Sequence, residues 1–223
     1  MKRMILATSV LALLAGTALA LPGPNSMGVF VDAAPSTSVG PLCVTKASGP
    51  IDIYLCLMNP EVPGSAPTQV SAYELSMSVP GGSQLFGSWD LFGGVNIGDL
   101  NDWSDLRFIV GTGASPLTPD ENNVVTLAHF SGFLGGTAPI AFQLRGFPDT
   151  QSFPDDKTFG FAADEFTLVP CTALTGGTFD AGYGAFVSNW VLVINNDGTY
   201  DDFCNGPVNN DDTTWSSLKG LYR

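Results

Sequence analysis

Between Val70 and Val79 the apolar residues Tyr73, Leu75, Met77 and Val79 alternate with polar Glu74, Ser76 and Ser78. A period of two predicts a strand with one buried and one wet face. Across Ile51 to Met58, Ile51, Ile53, Leu55 and Leu57 share one face, and Asp52, Tyr54, Cys56 and Met58 the other. That mixture predicts a strand covered on much of both faces. Pro139 to Arg145 turns Ile140, Phe142 and Leu144 inward and Gln143 and Arg145 outward. Val124–Phe130, Leu106–Val110, Phe159–Ala162 and Phe166–Val169 are further strands by composition. Trp190 to Ile194 runs into Asn195-Asn196-Asp197-Gly198 and then Thr199-Tyr200, the signature of a hairpin.

Turn chemistry separates these runs: Pro60 with Pro63-Gly64, Pro80-Gly81-Gly82, Gly93-Gly94, Gly135-Gly136 and Gly176-Gly177. No convincing helix of ten residues appears in the body, and no internal repeat. Many short strands with frequent Gly and Pro turns predict an all-β fold, a single antiparallel β-sandwich over residues 21–204. A polar linker follows at 205–214, and then a tail, 215–223, reading WSSLKGLYR. Trp215, Leu218 and Tyr222 fall on one helical stripe, with Asp211 and Asp212 before it and Lys219 and Arg223 near its end. Nine residues with Gly220 inside do not hold a helix alone in water. The tail is therefore either frayed or a peptide that docks on a partner or on the body.

The first twenty residues change the charge arithmetic. Lys2 and Arg3, the apolar run Met4 to Gly16, and Ala18-Leu19-Ala20 have the anatomy of a secretory signal peptide, residues 1–20. The run is too short to span a bilayer, and no later segment is long and apolar enough either. Removing it takes two cations and no acid, moving the net charge from −13 to −15. So acidic a chain has no electrostatic footprint for nucleic acid. With 44% hydrophobic residues it is not a disordered acidic tail. The predicted location is outside the cell, at its surface or in a periplasm.

Export makes the four cysteines legible as two disulfides. Three pairings of Cys43, Cys56, Cys171 and Cys204 are open. Closeness in sequence favours Cys43–Cys56 and Cys171–Cys204, each worth about 3 to 4 kcal/mol. With no CxxC and His129 the only histidine, a structural zinc site is not expected.

Catalytic signals are thin. His129 lies on an apolar strand, and no Gly-x-Ser-x-Gly elbow, Walker loop or dinucleotide fingerprint occurs. A glycosidase needs two carboxylates across a cleft. The acids fall almost all in loops, with Glu74 and Glu165 the nearest exceptions. Asp99, Asn101, Asp102 and Asp105 form the one oxygen cluster dense enough to consider for calcium. A second acidic run, Asn195 to Asp202, does not match EF-hand spacing. Asp and Asn also cap turns and keep an acidic chain soluble, so both roles stand open. Trp89, Trp103 and Trp190 offer stacking faces for sugars; Trp103, between Asp102 and Ser104, is the most exposed candidate, and Trp89 reads as core.

The strand order Ile51–Asn59, Val70–Gly82, Val124–Phe130, Ile140–Leu144 and Phe166–Cys171 resembles the cohesin-type and carbohydrate-binding-module-type β-sandwiches of secreted bacterial proteins. VSAYELSMSVPGG (70–82) is similar to their strand and turn in which an aromatic alternates with apolar residues before a Gly/Pro bend. The tail is similar to short Trp…Lys-x-Leu-Tyr-Arg endings of uncharacterised secreted bacterial proteins. The resemblance implies a cohesin-like or jelly-roll sandwich without catalysis, binding protein or carbohydrate or serving as surface structure. Cohesins bind dockerin modules through a sheet face, and no residue of that recognition is identifiable here. The alternative is an extracellular hydrolase acting on polysaccharide through carboxylates not identified.

Overall fold

The computed structural model describes residues 23–32, 42–62, 68–146, 152, 158–164, 167–174 and 190–204. The segments expected to be leader (1–20), linker (205–214) and tail (215–223) lie outside them.

The described chain is almost all strand. The elements are β1 (Ser26–Val31), β2 (Cys43–Val44), β3 (Gly49–Met58), β4 (Ala72–Ser78), β5 (Leu85–Asp90) and β6 (Val95–Asn96). They continue as β7 (Leu106–Gly111), β8 (Val124–Leu134), β9 (Ile140–Arg145), β10 (Phe159–Ala162), β11 (Leu168–Ala173) and β12 (Trp190–Ile194). One helical turn, α1 (Asp201–Cys204), follows.

Two layers result. The first runs β5-β8-β3-β1. In the second, β2-β12-β9-β4 continues through β7 to β6, and β10 sits on β4 beyond the end of β9. β11 pairs with β10 and, over two residues, with β1, so it stitches the layers together along one edge. Pairing is antiparallel except at the short β1–β11 and β2–β12 contacts. The fold is an all-β sandwich.

The alternating residues do what their pattern requires. Ile51, Ile53, Leu55 and Leu57 of β3 meet Tyr73, Leu75 and Met77 of β4 and Phe142 of β9 in one buried cluster. Phe130 of β8 lies in this core, with the rings of Trp89 and Trp103 at 5.5 and 5.6 Å. A second cluster covers the outer face of the first layer, where Phe30, Leu42, Cys56, Met58 and Val124 pack with Phe203. This is the two-faced burial expected of β3.

The polar face of β4 is the first departure. Glu74 and Ser76 stand outside the core cluster, yet are only 8% and 1% exposed. Side chains from neighbouring strands and loops lie over them, as described below. Beyond β4, Gly81 adopts φ 82°, and a Cβ there would collide with the carbonyl of Pro139. Glycine is thus required where this turn meets the start of β9.

The disulfide pairing differs from expectation. Cys43 bridges Cys204, with Cα atoms 5.5 Å apart, whereas Cys56 and Cys171 are buried thiols. The reason is topological. β1 lies between β3 and β11, so Cys56 faces the outer cluster while Cys171 faces the core. Burial pushes the Cys56 thiol up to about 12 and raises that of Cys171 as well. Cys43, on β2 beside Val193 of β12, meets Cys204 one helical turn past that strand.

The hairpin expected after Ile194 does not form either. Asn196 Oδ1 accepts from the N–H groups of Gly198 and Tyr200, and Asp197 Oδ1 from the N–H of Thr199 at 3.1 Å. These side chains take the main-chain donors a returning strand would use, and the chain coils into α1.

Candidate functional site

The loop 99–105 carries the calcium candidates and Trp103. Asp99 Oδ1 accepts from the N–H and the side-chain amide of Asn101, at 2.9 and 2.8 Å. Asp102 Oδ1 accepts from the N–H and hydroxyl of Ser104, at 2.9 and 2.7 Å. The Ser104 hydroxyl, then its N–H, hold the Asp102 carboxyl below the usual range. Each carboxylate closes its own turn.

Asp105 is engaged across three strands. Its Oδ1 accepts from Ser76 Oγ of β4 at 2.5 Å and from Arg145 of β9 at 2.8 Å. Its Oδ2 accepts from Arg107 Nε of β7 at 2.7 Å. Arg107 and Arg145 are the register partners of Ser76 on its two sides, so Asp105 bridges one row of the sheet. Partial burial pushes its carboxyl up, but Ser76, Arg107 and Arg145 together outweigh that and hold it below the usual range. Among the described residues no group of three or more His, Cys, Asp or Glu is arranged to hold a metal ion.

Trp103 seals one end of the core. Its ring covers Gly82, where a Cβ would lie 2.8 Å from Cδ2, and meets Phe130 edge-on at 75°. Its carbonyl accepts from the N–H of Val79 at 2.7 Å. It also lines a cavity of about 350 Å3 at the free side of β5, with Gly87, Trp89, Leu100, Asn101 and Phe130. Trp89 Nε1 is buried without a hydrogen-bond partner among the described residues.

His129 lies on the outer face of the first layer. Its Nε2 is 2.9 Å from Asp52 Oδ1, and its ring stacks on Tyr54 at 4.4 Å with 6° between planes. Among the described residues its ring nitrogens have no hydrogen bond to a hydroxyl or thiol; the partner is Asp52.

The most exposed apolar surface was not signalled by any motif. On the outer face of the second layer, a groove of about 390 Å3 has Glu74 in its floor. Its walls carry Val95, Ile97 and Leu168, exposed to 68, 78 and 48%, with Ile109 beside them. The sequence trace of this site was the pair Val95 and Ile97, stranded in the turn-rich run Gly93 to Gly98. Glu74 is its lone carboxylate among the described residues, and none lines the cavity beside β5. The two-carboxylate arrangement of a glycosidase is thus not formed in either.

No protein-family model matches the chain, and no curated protein matches it. Among solved structures, the chain is similar to the seventh ScaB type I cohesin from Pseudobacteroides cellulosolvens, at 7% identity and TM-score 0.38 over 67% of this chain and 84% of that one. It is also similar to a type II cohesin domain from the cellulosome of Acetivibrio cellulolyticus, at 12% identity and TM-score 0.38 over 78% and 97%. At that distance, function is read from the surface itself.

Three cations fall within the described residues, and they meet two acids. Lys46 pairs with Asp32, Arg107 with Asp105, and Arg145 with Asp105.

Proposed function

We propose that this protein is an exported, non-catalytic module that binds a protein partner through the groove bounded by Val95, Ile97 and Leu168. The observation that carries the reading is the exposure of these three side chains together. Isolated exposed apolar residues are ordinary, but a contiguous exposed apolar patch marks an interaction site. The acidity of the chain selects a partner presenting an apolar ridge flanked by Lys or Arg. Export is supported by the leader at 1–20 and by the Cys43–Cys204 disulfide, which persists in oxidising compartments.

A displayed library of random peptides, selected on the mature protein, tests this. The expected outcome is enrichment of sequences combining apolar residues with Lys or Arg, whose binding weakens about tenfold or more in Ile97→Asp and Leu168→Asp. Enriched peptides that bind both variants as well as the parent would overturn the groove assignment.

A further inference from the structure

The free side of β5 is a second surface, on the other layer. β5 ends its sheet and, among the described residues, pairs only with β8. The N–H of Gly135 donates to the carbonyl of Gln84 at 2.8 Å, which sets the alternation of that ladder. Phe86, Ser88 and Asp90 then direct their main-chain groups toward β8, and Leu85, Gly87 and Trp89 direct theirs away from it. An open row of N–H and C=O groups is a template for another strand.

Three neighbouring features suit a strand carrying bulky side chains. The cavity of about 350 Å3 is lined by Leu85, Gly87 and Trp89, the residues of that row. Trp89, in its wall, has a buried indole N–H with no acceptor among the described residues. On the outer face Phe86 and Phe133, register partners, are 61% and 49% exposed.

The chain itself supplies a segment of the right reach and charge. Phe203, just before the last described residue, packs with Met58 and Val124 on the outer side of this same layer. From Val124 to His129, opposite Asp90, is about 17 Å along β8, and β5 lies about 10 Å across from β3. The linker 205–214 spans up to about 33 Å extended, enough to deliver residue 215 to β5. Lys219 and Arg223 complement Asp90 of β5 and Asp99 and Asp102 of the loop whose Asn101 lines the cavity. In extended form Leu218 and Tyr222 share one side of the tail, with Lys219, Leu221 and Arg223 on the other.

We propose that residues 215–223 add to the free side of β5 in the same molecule, as an extra strand whose Leu218 and Tyr222 side enters the cavity beside Trp89 and Trp103. This goes beyond the groove reading and stands apart from it, because the groove lies on the outer face of the other layer. The tail is then an intramolecular cover for an otherwise open sheet margin.

Amide hydrogen exchange on the mature full chain reads this directly. The amides of Gly87 and Trp89 are expected to exchange about tenfold or more slowly than in a Leu218→Asp/Tyr222→Asp variant, whose changes lie outside the sandwich. Synthetic WSSLKGLYR, added to a chain ending at residue 214 and shown by its melting to be folded, is expected to restore the protection. Equal exchange in parent and variant would overturn the proposal. So would protection that appears only with dimers in sedimentation, which assigns the site to the tail of a second copy. Loss of protection in the tail variant but not in Ile97→Asp keeps this result separate from the groove.

Discussion

The hydroxyl of Tyr73 crosses the sandwich to donate to the carbonyl of Leu127 at 2.7 Å. Leu127 is the residue at which the β3–β8 ladder slips: Leu55 pairs with Ala128 and Cys56 with Thr126, leaving Leu127 without an opposite. A bulge of this kind breaks the ladder and leaves polar main-chain groups to be satisfied in the core. Tyr73 supplies the donor, and its burial raises its own pKa. Tyr73→Phe keeps the ring and removes only the hydroxyl. The expected loss is about 1–3 kcal/mol in denaturant unfolding, with an unchanged slope. A loss near zero would show that the Leu127 carbonyl has another donor.

The Cys43–Cys204 bridge closes a loop with a sequence separation of 161. Chain-entropy reasoning gives a loop of that size about 5 kcal/mol, and removal of native disulfides costs about 2–5 kcal/mol in practice. Cys43→Ser/Cys204→Ser is therefore expected to lower the melting temperature by about 5–20 °C. Cys56→Ala leaves the bridge intact and loses only a small buried side chain. Thiol titration with DTNB is expected to detect no thiol in the folded protein and two after unfolding, because Cys56 and Cys171 are buried. A reading of no thiols in denaturant would restore two disulfides.

What the sequence displayed and what it hid have separate physical causes. β4, β7, β9, β10 and β12 followed from alternation or composition, because each has an apolar set that must face the core. β1 and β5 were missed. Ser26 to Val31 is buried on both faces, so it has no polar period, and Leu85 to Asp90 is interrupted by Gly87 and reads as packing around Trp89. The cysteine pairing was missed because closeness in sequence carries no information about β2 pairing with β12, which brings Cys43 to Cys204. Asp105 was legible as an acid in a dense cluster. Its two guanidinium partners were not, because Arg107 and Arg145 meet it only through the register of β4 with β7 and β9. Trp103 was named as an exposed stacking residue, and the structure places much of its ring against Gly82 and Phe130.

Trp103→Ala accordingly removes a plug from the core end. Truncation of a buried aromatic costs about 3–5 kcal/mol, and a half-buried ring belongs near the bottom of that range. Trp103→Phe is expected to recover much of the loss, since the Phe ring still covers Gly82. Both are measured by thermal or denaturant unfolding. A loss of polysaccharide binding at unchanged stability would instead give Trp103 the stacking role read from its sequence.

Asp105 carries a pH dependence set by Ser76, Arg107 and Arg145. Its folded carboxyl ionises below the ordinary value of 3.8, so ionisation favours the folded state. That contribution is complete above about pH 4 and fades as pH falls through the lower, folded value. Asp105→Asn removes the charge yet keeps one acceptor for Ser76. It is expected to destabilise by about 1–3 kcal/mol at neutral pH, and by less as the pH is lowered, so the curves of parent and variant converge in acid. The difference should shrink with added salt, because the guanidiniums are partly exposed. Calcium is expected to leave the melting temperature unchanged, since two arginines already occupy the Asp105 oxygens and turn donors hold one oxygen each of Asp99 and Asp102. A saturable rise with calcium, abolished in Asp105→Asn, would assign the loop to the cation instead.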